Sequence, residues 1–269
     1  MKKNKILLYV TLFALILNIF NPLIVYAASK GEINNPTVKV GNTDEAGNVK
    51  VTKTVTKVDD NGRYRITFDV VGKNGTTTVV NDAKPYIVYI LDRSGSMSSN
   101  KLDNDTRYSY AKKISADSSD MLIKSVPNAM IATIVFAQDM NAPEKNPVDI
   151  VRNFENSALE RSVWGRFGAE GGYTPTDKAI AKATEMLNGV TGATSKHIIL
   201  LSDGLPWNGK YDDSAKTQTI LEATNAKESG IEIFSVFIQE NKSTDVEAKQ
   251  LMDNIASQPT NTHSFEVTN

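Results

Sequence analysis

The chain has 269 residues, 40% of them apolar, and a formal charge of −1, which suits one large folded domain, alone or with a small one. The sequence has no dense basic run, so a nucleic-acid partner is excluded. With no cysteine and two histidines, disulfides and thiolate-bound zinc are also excluded. Any metal site in this chain must be built from oxygen atoms, which favours a hard cation such as Mg²⁺.

Residues 1–27 have the features of a signal peptide. Lysines at positions 2, 3 and 5 precede an apolar stretch over 6–20, and the small-residue pattern at Val25 and Ala27 predicts cleavage after Ala27. The alternative is an uncleaved anchor, because the apolar stretch approaches the length of a membrane span; the chain would then contact the membrane only through this segment. Export without cysteine is typical of a Gram-positive surface, so we predict a secreted or cell-surface location.

Residues 28–47 and 48–83 are predicted to be a linker and a small β-unit. The first stretch is polar and contains several glycines, which indicates a linker with one short strand over 37–40. In the second, β-branched residues fill 49–58, an Asp-Asp-Asn-Gly turn follows, and apolar and polar residues alternate over 64–70. This pattern is typical of antiparallel strands that are joined by tight turns.

Over residues 84–269 the pattern changes to apolar strands that alternate with helices. Tyr86-Ile-Val-Tyr-Ile-Leu91 is a continuous apolar run, as expected for a strand buried on both faces. The alternation predicts an α/β sheet with helices on both faces. The other predicted strands lie near 129–136, 148–154, 197–201, 231–238 and 263–267, and the helices near 111–126, 179–187, 213–228 and 248–255.

Three polar segments follow predicted strands or open a predicted helix. Asp92-Arg-Ser-Gly-Ser-Met97 follows the first apolar strand, and Ser202-Asp203-Gly204 follows the strand at 197–201. Gly171-Gly-Tyr-Thr-Pro-Thr-Asp177 opens the second helix. Because ligand sites in parallel sheets form at the carboxyl ends of strands, we expect the loops to converge although they are far apart in sequence.

The oxygen atoms of these segments suit a divalent metal ion. Aspartate and serine alternate in the first segment, where Gly95 allows a tight bend and an extended turn would direct the side chains toward one point. Two carboxylates and three hydroxyls suit an octahedral magnesium site that water completes. Each residue alone is also explained as a helix cap or a turn residue, and only their joint position at element ends favours a site. The predicted ligands are Asp92, Ser94, Ser96, Thr174 and Asp203.

This combination resembles the metal-ion-dependent adhesion site of von Willebrand factor type A (VWA) domains. The resemblance covers about residue 84 to the C-terminus, and all five metal positions are present. It implies a doubly wound, mostly parallel sheet with one antiparallel edge strand, here 148–154. More loosely, a signal peptide, a β-unit and such a domain are similar to secreted and pilus-tip adhesins of Gram-positive bacteria.

The resemblance also implies how the site works. Ser94, Ser96 and Thr174 would ligate Mg²⁺ directly or through water, and Asp92 and Asp203 would act largely through water. Mn²⁺ or Ca²⁺ would suit the same ligands. A protein partner would complete the coordination with an Asp or Glu side chain, and this partner would be host matrix or another surface subunit.

Side chains beside the metal positions are candidates for a ligand-binding rim, namely Tyr173, Leu205 and Trp207. For Trp207, a packed loop anchor is the equal alternative. His197 opens a predicted strand and has no acidic partner visible in the sequence, so it receives no role.

The C-terminus departs from the VWA pattern. These domains normally end in a helix after the last strand, whereas this sequence stops at Asn269, just after the predicted strand at 263–267. A wall-sorting signal and a C-terminal anchor are also absent from the sequence. We therefore expect a C-terminally truncated domain that lacks its final helix and comes from a longer surface protein.

Three functions compete for the predicted metal site. The leading hypothesis is an exported, Mg²⁺-dependent adhesion module. The alternative is a structural cell-wall or pilus component that the metal stabilises. A metal-dependent hydrolase is disfavoured, because Glu170 and Asp177 are the only spare acids near the three segments and no histidine lies near them. We therefore predict that the protein is not an enzyme.

Overall fold

The structure is a computed structural model. It contains two compact units, one within residues 24–81 and one within residues 82–269. The first unit is described by its backbone at 40–43, 49–57 and 64–72. The second is described with side chains at 83–102, 104–142, 144–159, 172–208, 213–239 and 246–268. The predicted signal peptide and most of the predicted linker lie outside the described residues.

The first unit contains three antiparallel strands in the order β1-β2-β3. They are β1 (Val40–Thr43), β2 (Val49–Lys57) and β3 (Tyr64–Gly72). Strand β1 lies within the stretch that we interpreted as a linker, and it pairs with β2. The boundaries of the linker and the β-unit stay predictions.

The second unit is an α/β domain. In chain order its elements are β4 (Pro85–Asp92), α1 (Gly95–Ser99), β5 (Lys101–Leu102), β6 (Asp105–Thr106), α2 (Arg107–Ser125), β7 (Met130–Phe136), β8 (Val148–Glu155), α3 (Thr176–Asn188), β9 (Ser195–Ser202), α4 (Ser214–Glu228), β10 (Ile231–Ile238), α5 (Val246–Ile255), α6 (Thr260–His263) and β11 (Ser264–Val267). None of the helices in the described part of the chain has the length and apolarity that a membrane span requires.

The large sheet has the strand order β11-β10-β9-β4-β7-β8. Its pairs are parallel except for β7 with β8, which is antiparallel. The predicted α/β fold with one antiparallel edge strand is therefore confirmed. The short elements α1, β5, β6 and α6 were not predicted, because two to five residues are too few to show a helical or strand period.

Both faces of the sheet are covered, as a strand with a continuous apolar run requires. In β4, Ile87, Tyr89 and Leu91 enter one core cluster, to which α2 contributes. Val88 and Ile90 enter the opposite cluster, to which α3, α4 and α5 contribute. Every residue of β4 is buried, so the strand that leads into the first polar segment is fixed from both sides.

The strand order changes direction at β4. From β4 the chain proceeds through β7 to β8 on one side and then returns to β9 on the other side. A crevice therefore forms between the carboxyl ends of β4 and β9, as it does at the switch point of other doubly wound sheets. Asp92 ends β4, and Asp203 follows β9 directly.

His197 has an acidic partner that the sequence did not reveal. In the parallel pairing of β9 with β10, His197 lies opposite Glu232, and its Nδ1 is 3.1 Å from Glu232 Oε2. The close approach of the His197 ring lowers the pKa of Glu232 below its ordinary value of 4.5, although burial opposes this shift. The pair lies at the strand starts, away from the switch-point crevice.

We expect Glu232→Gln to lower the free energy of unfolding at pH 7 by less than about 1 kcal/mol, since the carboxylate is partly exposed. A carboxyl whose pKa is lower in the folded state stabilises the fold above its unfolded pKa, and this contribution is lost as the pH falls through the lowered folded pKa. Urea unfolding from pH 7 down to pH 2 should show the difference from wild type shrink. A difference that grows toward low pH would contradict the pairing.

Candidate metal centre

The first polar segment is held by hydrogen bonds to the Asp92 carboxylate. Asp92 is fully buried; its Oδ1 accepts from the backbone N–H of Ser94 at 2.8 Å, and its Oδ2 accepts from the hydroxyl of Ser202 at 2.7 Å. The loop after β4 is therefore tied to the end of β9. Ser202 was not among the predicted site residues, and its position next to Asp203 at a strand end was the available signal.

The expected extended turn with a bend at Gly95 is wrong. Ser94 is the N-cap of α1, and Gly95 is the first residue of this five-residue helix. Met97 is fully buried and anchors the helix, whereas Ser94 is buried and Ser96 is exposed. The two serines therefore differ in exposure, although their hydroxyl oxygens lie 3.2 Å apart.

A chain of hydrogen bonds joins the two serines to the second aspartate. Ser94 Oγ lies 3.2 Å from Ser96 Oγ, and Ser96 Oγ donates to Asp203 Oδ1 at 2.8 Å. Three of the five predicted ligands, from loops more than a hundred residues apart, are thus linked through their side chains, and Asp92 joins them through the backbone N–H of Ser94.

A cationic side chain, absent from the sequence prediction, also reaches this cluster. Arg107 Nη1 donates to Asp203 Oδ2 at 2.8 Å, and the side chains of this pair are only 15% and 2% exposed. Arg107 begins α2, fifteen positions after Asp92. It lies outside the three polar segments, and no sequence signal connected it with them.

The two buried carboxylates of Asp92 and Asp203 favour a positive charge between or beside them. Burial, followed by the nearby charge of Asp203, raises the pKa of the Asp92 carboxyl from 3.8 to about 7, although hydrogen bonds from Ser202 and Ser94 oppose this shift. A cation beside the Asp92 and Asp203 carboxylates favours the charged form of Asp92 and offsets the repulsion between the two groups.

The Thr174 segment joins the other loops through its backbone. Tyr173 and Gln138 exchange backbone hydrogen bonds of 2.9 and 3.0 Å, and Thr174 and Trp207 exchange bonds of 2.9 and 3.1 Å. Gly172 precedes this ladder at a φ of 101°. Thr174 is therefore held beside the segment that follows Asp203, and its placement rests on backbone pairing.

The candidate rim residues occupy different environments. Trp207 is 39% exposed, and its ring makes an edge contact with Tyr173 at a centroid distance of 5.0 Å. Leu205 packs partly against the core cluster on the face of α3, α4 and α5. Trp207 and Tyr173 thus form an aromatic pair beside Thr174, while Leu205 contributes to the core.

The donor set fits a hard divalent cation. Adjacent oxygen ligands of octahedral Mg²⁺ lie about 3 Å apart, because each lies about 2.0–2.1 Å from the ion. The distance of 3.2 Å between the Ser94 and Ser96 hydroxyl oxygens matches this spacing. Within the described residues, no group of three or more His, Cys, Asp or Glu side chains could hold a metal ion, so a metal centre here needs the hydroxyls. Glu170 lies outside the described residues.

Comparison with known proteins identifies the family. The von Willebrand factor type A domain profile matches residues 87–269, so the chain belongs to this family. No curated protein matches the sequence.

Two solved structures illustrate the similarity. The pilus adhesin SpaC from Lactobacillus rhamnosus GG has 18% identity and a TM-score of 0.54, over 87% of this chain and 34% of that chain. Proximal thread matrix protein 1 from the mussel byssus, with a zinc-occupied metal-ion-dependent adhesion site, has 18% identity and a TM-score of 0.50, over 69% of this chain and 41% of that chain. The structural similarity shows a shared fold and no more, because the sequence identities are low. This chain spans less than half the length of either protein.

Proposed function

We propose that this VWA domain binds one divalent cation, Mg²⁺ by preference, and uses it to hold an acidic group of a protein partner. One observation carries the proposal: Asp92, Ser94, Ser96 and Asp203 form a continuous hydrogen-bonded cluster at the switch point of the sheet. The cluster contains carboxylate and hydroxyl oxygens, which hard cations prefer.

The roles of the residues follow from their burial and partners. Ser94 and Ser96 offer hydroxyl ligands, and Ser96 does so at the surface. Asp92 and Asp203 supply the negative charge and orient the hydroxyls, and Thr174 supplies a third hydroxyl. When bound, the metal would offer residual positive charge and an open coordination position to a carboxylate from outside.

The surface beside the cluster supports partner binding over a purely structural metal. Trp207 is exposed and braced by Tyr173, and aromatic side chains in such positions contribute much of the binding energy at protein interfaces. Adhesion by the pilus protein SpaC, which shares the fold, is consistent with a surface or secreted location for this chain. Host matrix or another surface subunit is the proposed class of partner.

The test is binding to immobilised collagen and fibronectin in Mg²⁺ and in EDTA. We expect the full chain to bind at least one of them in Mg²⁺ only, and binding should fall when the carboxyl groups of the immobilised protein are amidated. Trp207→Ala should weaken this binding about tenfold or more and leave the Mg²⁺ affinity unchanged.

Binding that survives both EDTA and amidation would contradict the proposal. If Mg²⁺ raises the melting temperature but neither protein is bound, the structural alternative is favoured. Turnover of a phosphate or peptide ester that depends on Mg²⁺ would favour the hydrolase.

A further inference from the structure

Arg107 brings a positive charge to a site that is proposed to bind a cation. Its guanidinium donates a hydrogen bond to Asp203 Oδ2 at 2.8 Å, while the Ser96 hydroxyl donates to Oδ1. Among the ion pairs of the described residues, this is the one that reaches the carboxylate cluster. Both carboxylate oxygens of Asp203 thus accept hydrogen bonds from side chains of this protein.

The position of Arg107 is not explained by helix stability. It is the first residue of α2, where the positive end of the helix dipole disfavours a cationic side chain. The helix start is instead fixed by Thr106, whose side chain accepts from the backbone N–H of Ser109 at 3.1 Å, and by the bond from Arg107 N–H to Asn100 O at 3.1 Å. The guanidinium is therefore held beside Asp203 by a well-anchored backbone.

We propose that Arg107 is a built-in counter-charge that stabilises the metal-free site and, by the same pairing, lowers its affinity for divalent cations. Without metal, the guanidinium neutralises the nearly buried Asp203 beside Asp92, so the carboxylate pair tolerates burial. When a divalent cation binds, the same guanidinium becomes a like charge a few ångströms away and opposes it. The inference rests on the proposed function, because it concerns how strongly that metal is bound.

The opposite role makes the opposite prediction. If Arg107 only oriented Asp203 for the metal, its removal would weaken divalent binding. If it acts as a counter-charge, its removal strengthens binding and destabilises the metal-free protein. The sign of the change in affinity separates these roles.

The experiment compares wild type, Arg107→Gln and Arg107→Lys by calorimetric titration with Mg²⁺ and by thermal melting in EDTA. Arg107→Gln should bind Mg²⁺ about tenfold more tightly, since one unit of opposing charge is lost at short range, and should melt at a lower temperature in EDTA. Arg107→Lys keeps the charge and should stay within about threefold of wild type. Lys124→Gln removes one charge from the far, exposed end of the same helix and should change neither quantity.

Unchanged or weaker Mg²⁺ binding by folded Arg107→Gln, with wild type binding normally, would overturn the counter-charge role alone. Absence of Mg²⁺ binding in both proteins would overturn the proposed function and this inference with it. If Arg107→Gln is unfolded in EDTA, addition of Mg²⁺ should fold it, as circular dichroism would show. Failure of that rescue would overturn the inference.

Discussion

Asp203→Ala should weaken Mg²⁺ binding by about 100-fold, the upper end of the effect seen when a group that orients metal ligands is lost. Its Oδ1 accepts from the Ser96 hydroxyl, and its Oδ2 holds the Arg107 guanidinium. The substitution removes a negative charge, frees Ser96 and leaves an uncompensated cation beside the metal position. Calorimetric titration of the full chain with Mg²⁺ measures the loss.

Two controls separate charge from folding. Asp213→Ala removes a carboxylate from an exposed residue beside α4, ten positions later, and should bind Mg²⁺ like wild type. Asp203→Asn keeps the shape of the side chain and should still lose most of the affinity. Circular dichroism in EDTA must show the wild-type fold for each variant. Unchanged Mg²⁺ affinity in folded Asp203→Ala would refute the assignment of the site.

Gly172→Ala should destabilise the domain by about 3 kcal/mol or more. The backbone φ of 101° disfavours any side chain, at about 1–2 kcal/mol, and an added Cβ would lie 2.0 Å from the carbonyl oxygen of Gln138. Relief of that overlap must break the backbone pairing of Gln138 with Tyr173, and this loss lowers the free energy of unfolding further. Thermal melting should show a decrease of about 10 °C, and Mg²⁺ affinity should fall because Thr174 moves with the ladder.

Gly192→Ala is the matched control, because Gly192 has a φ of 72° and nothing within 4 Å of an added Cβ. It isolates the cost of the left-handed backbone, so the melting temperature should fall by only a few degrees. Equal effects of the two substitutions would show that the contact between the loops does not hold the Thr174 segment in place.

The proposed counter-charge role of Arg107 concerns the charge balance of the metal-free domain. In a site with two carboxylates alone, metal-free protein would carry an unfavourable pair of buried charges. In the proposed role, the Arg107 pairing would let the domain fold without metal and would raise the cation concentration at which the site fills. Adhesion would then respond to divalent cations over a range that this one residue sets.

The strand and helix order was predictable from the sequence because local signals carry it. The apolar run before Asp92 has the composition of a strand buried on both faces, and β4 is buried throughout. The spacing of apolar residues likewise identified α2, α3, α4 and α5. The α/β architecture is therefore confirmed, whereas metal binding, the signal peptide and the domain boundaries stay predictions.

The sequence by itself determined which oxygen-bearing residues occur at strand ends, since this needs only the alternation of strands and helices. Only the tertiary structure decided which side chains meet. The register of β9 with β10 brings Glu232 to His197, and the packing of α2 brings Arg107 to Asp203. These contacts join positions 35 and 96 residues apart, and no local period encodes them, because they depend on how separate elements pack around one sheet.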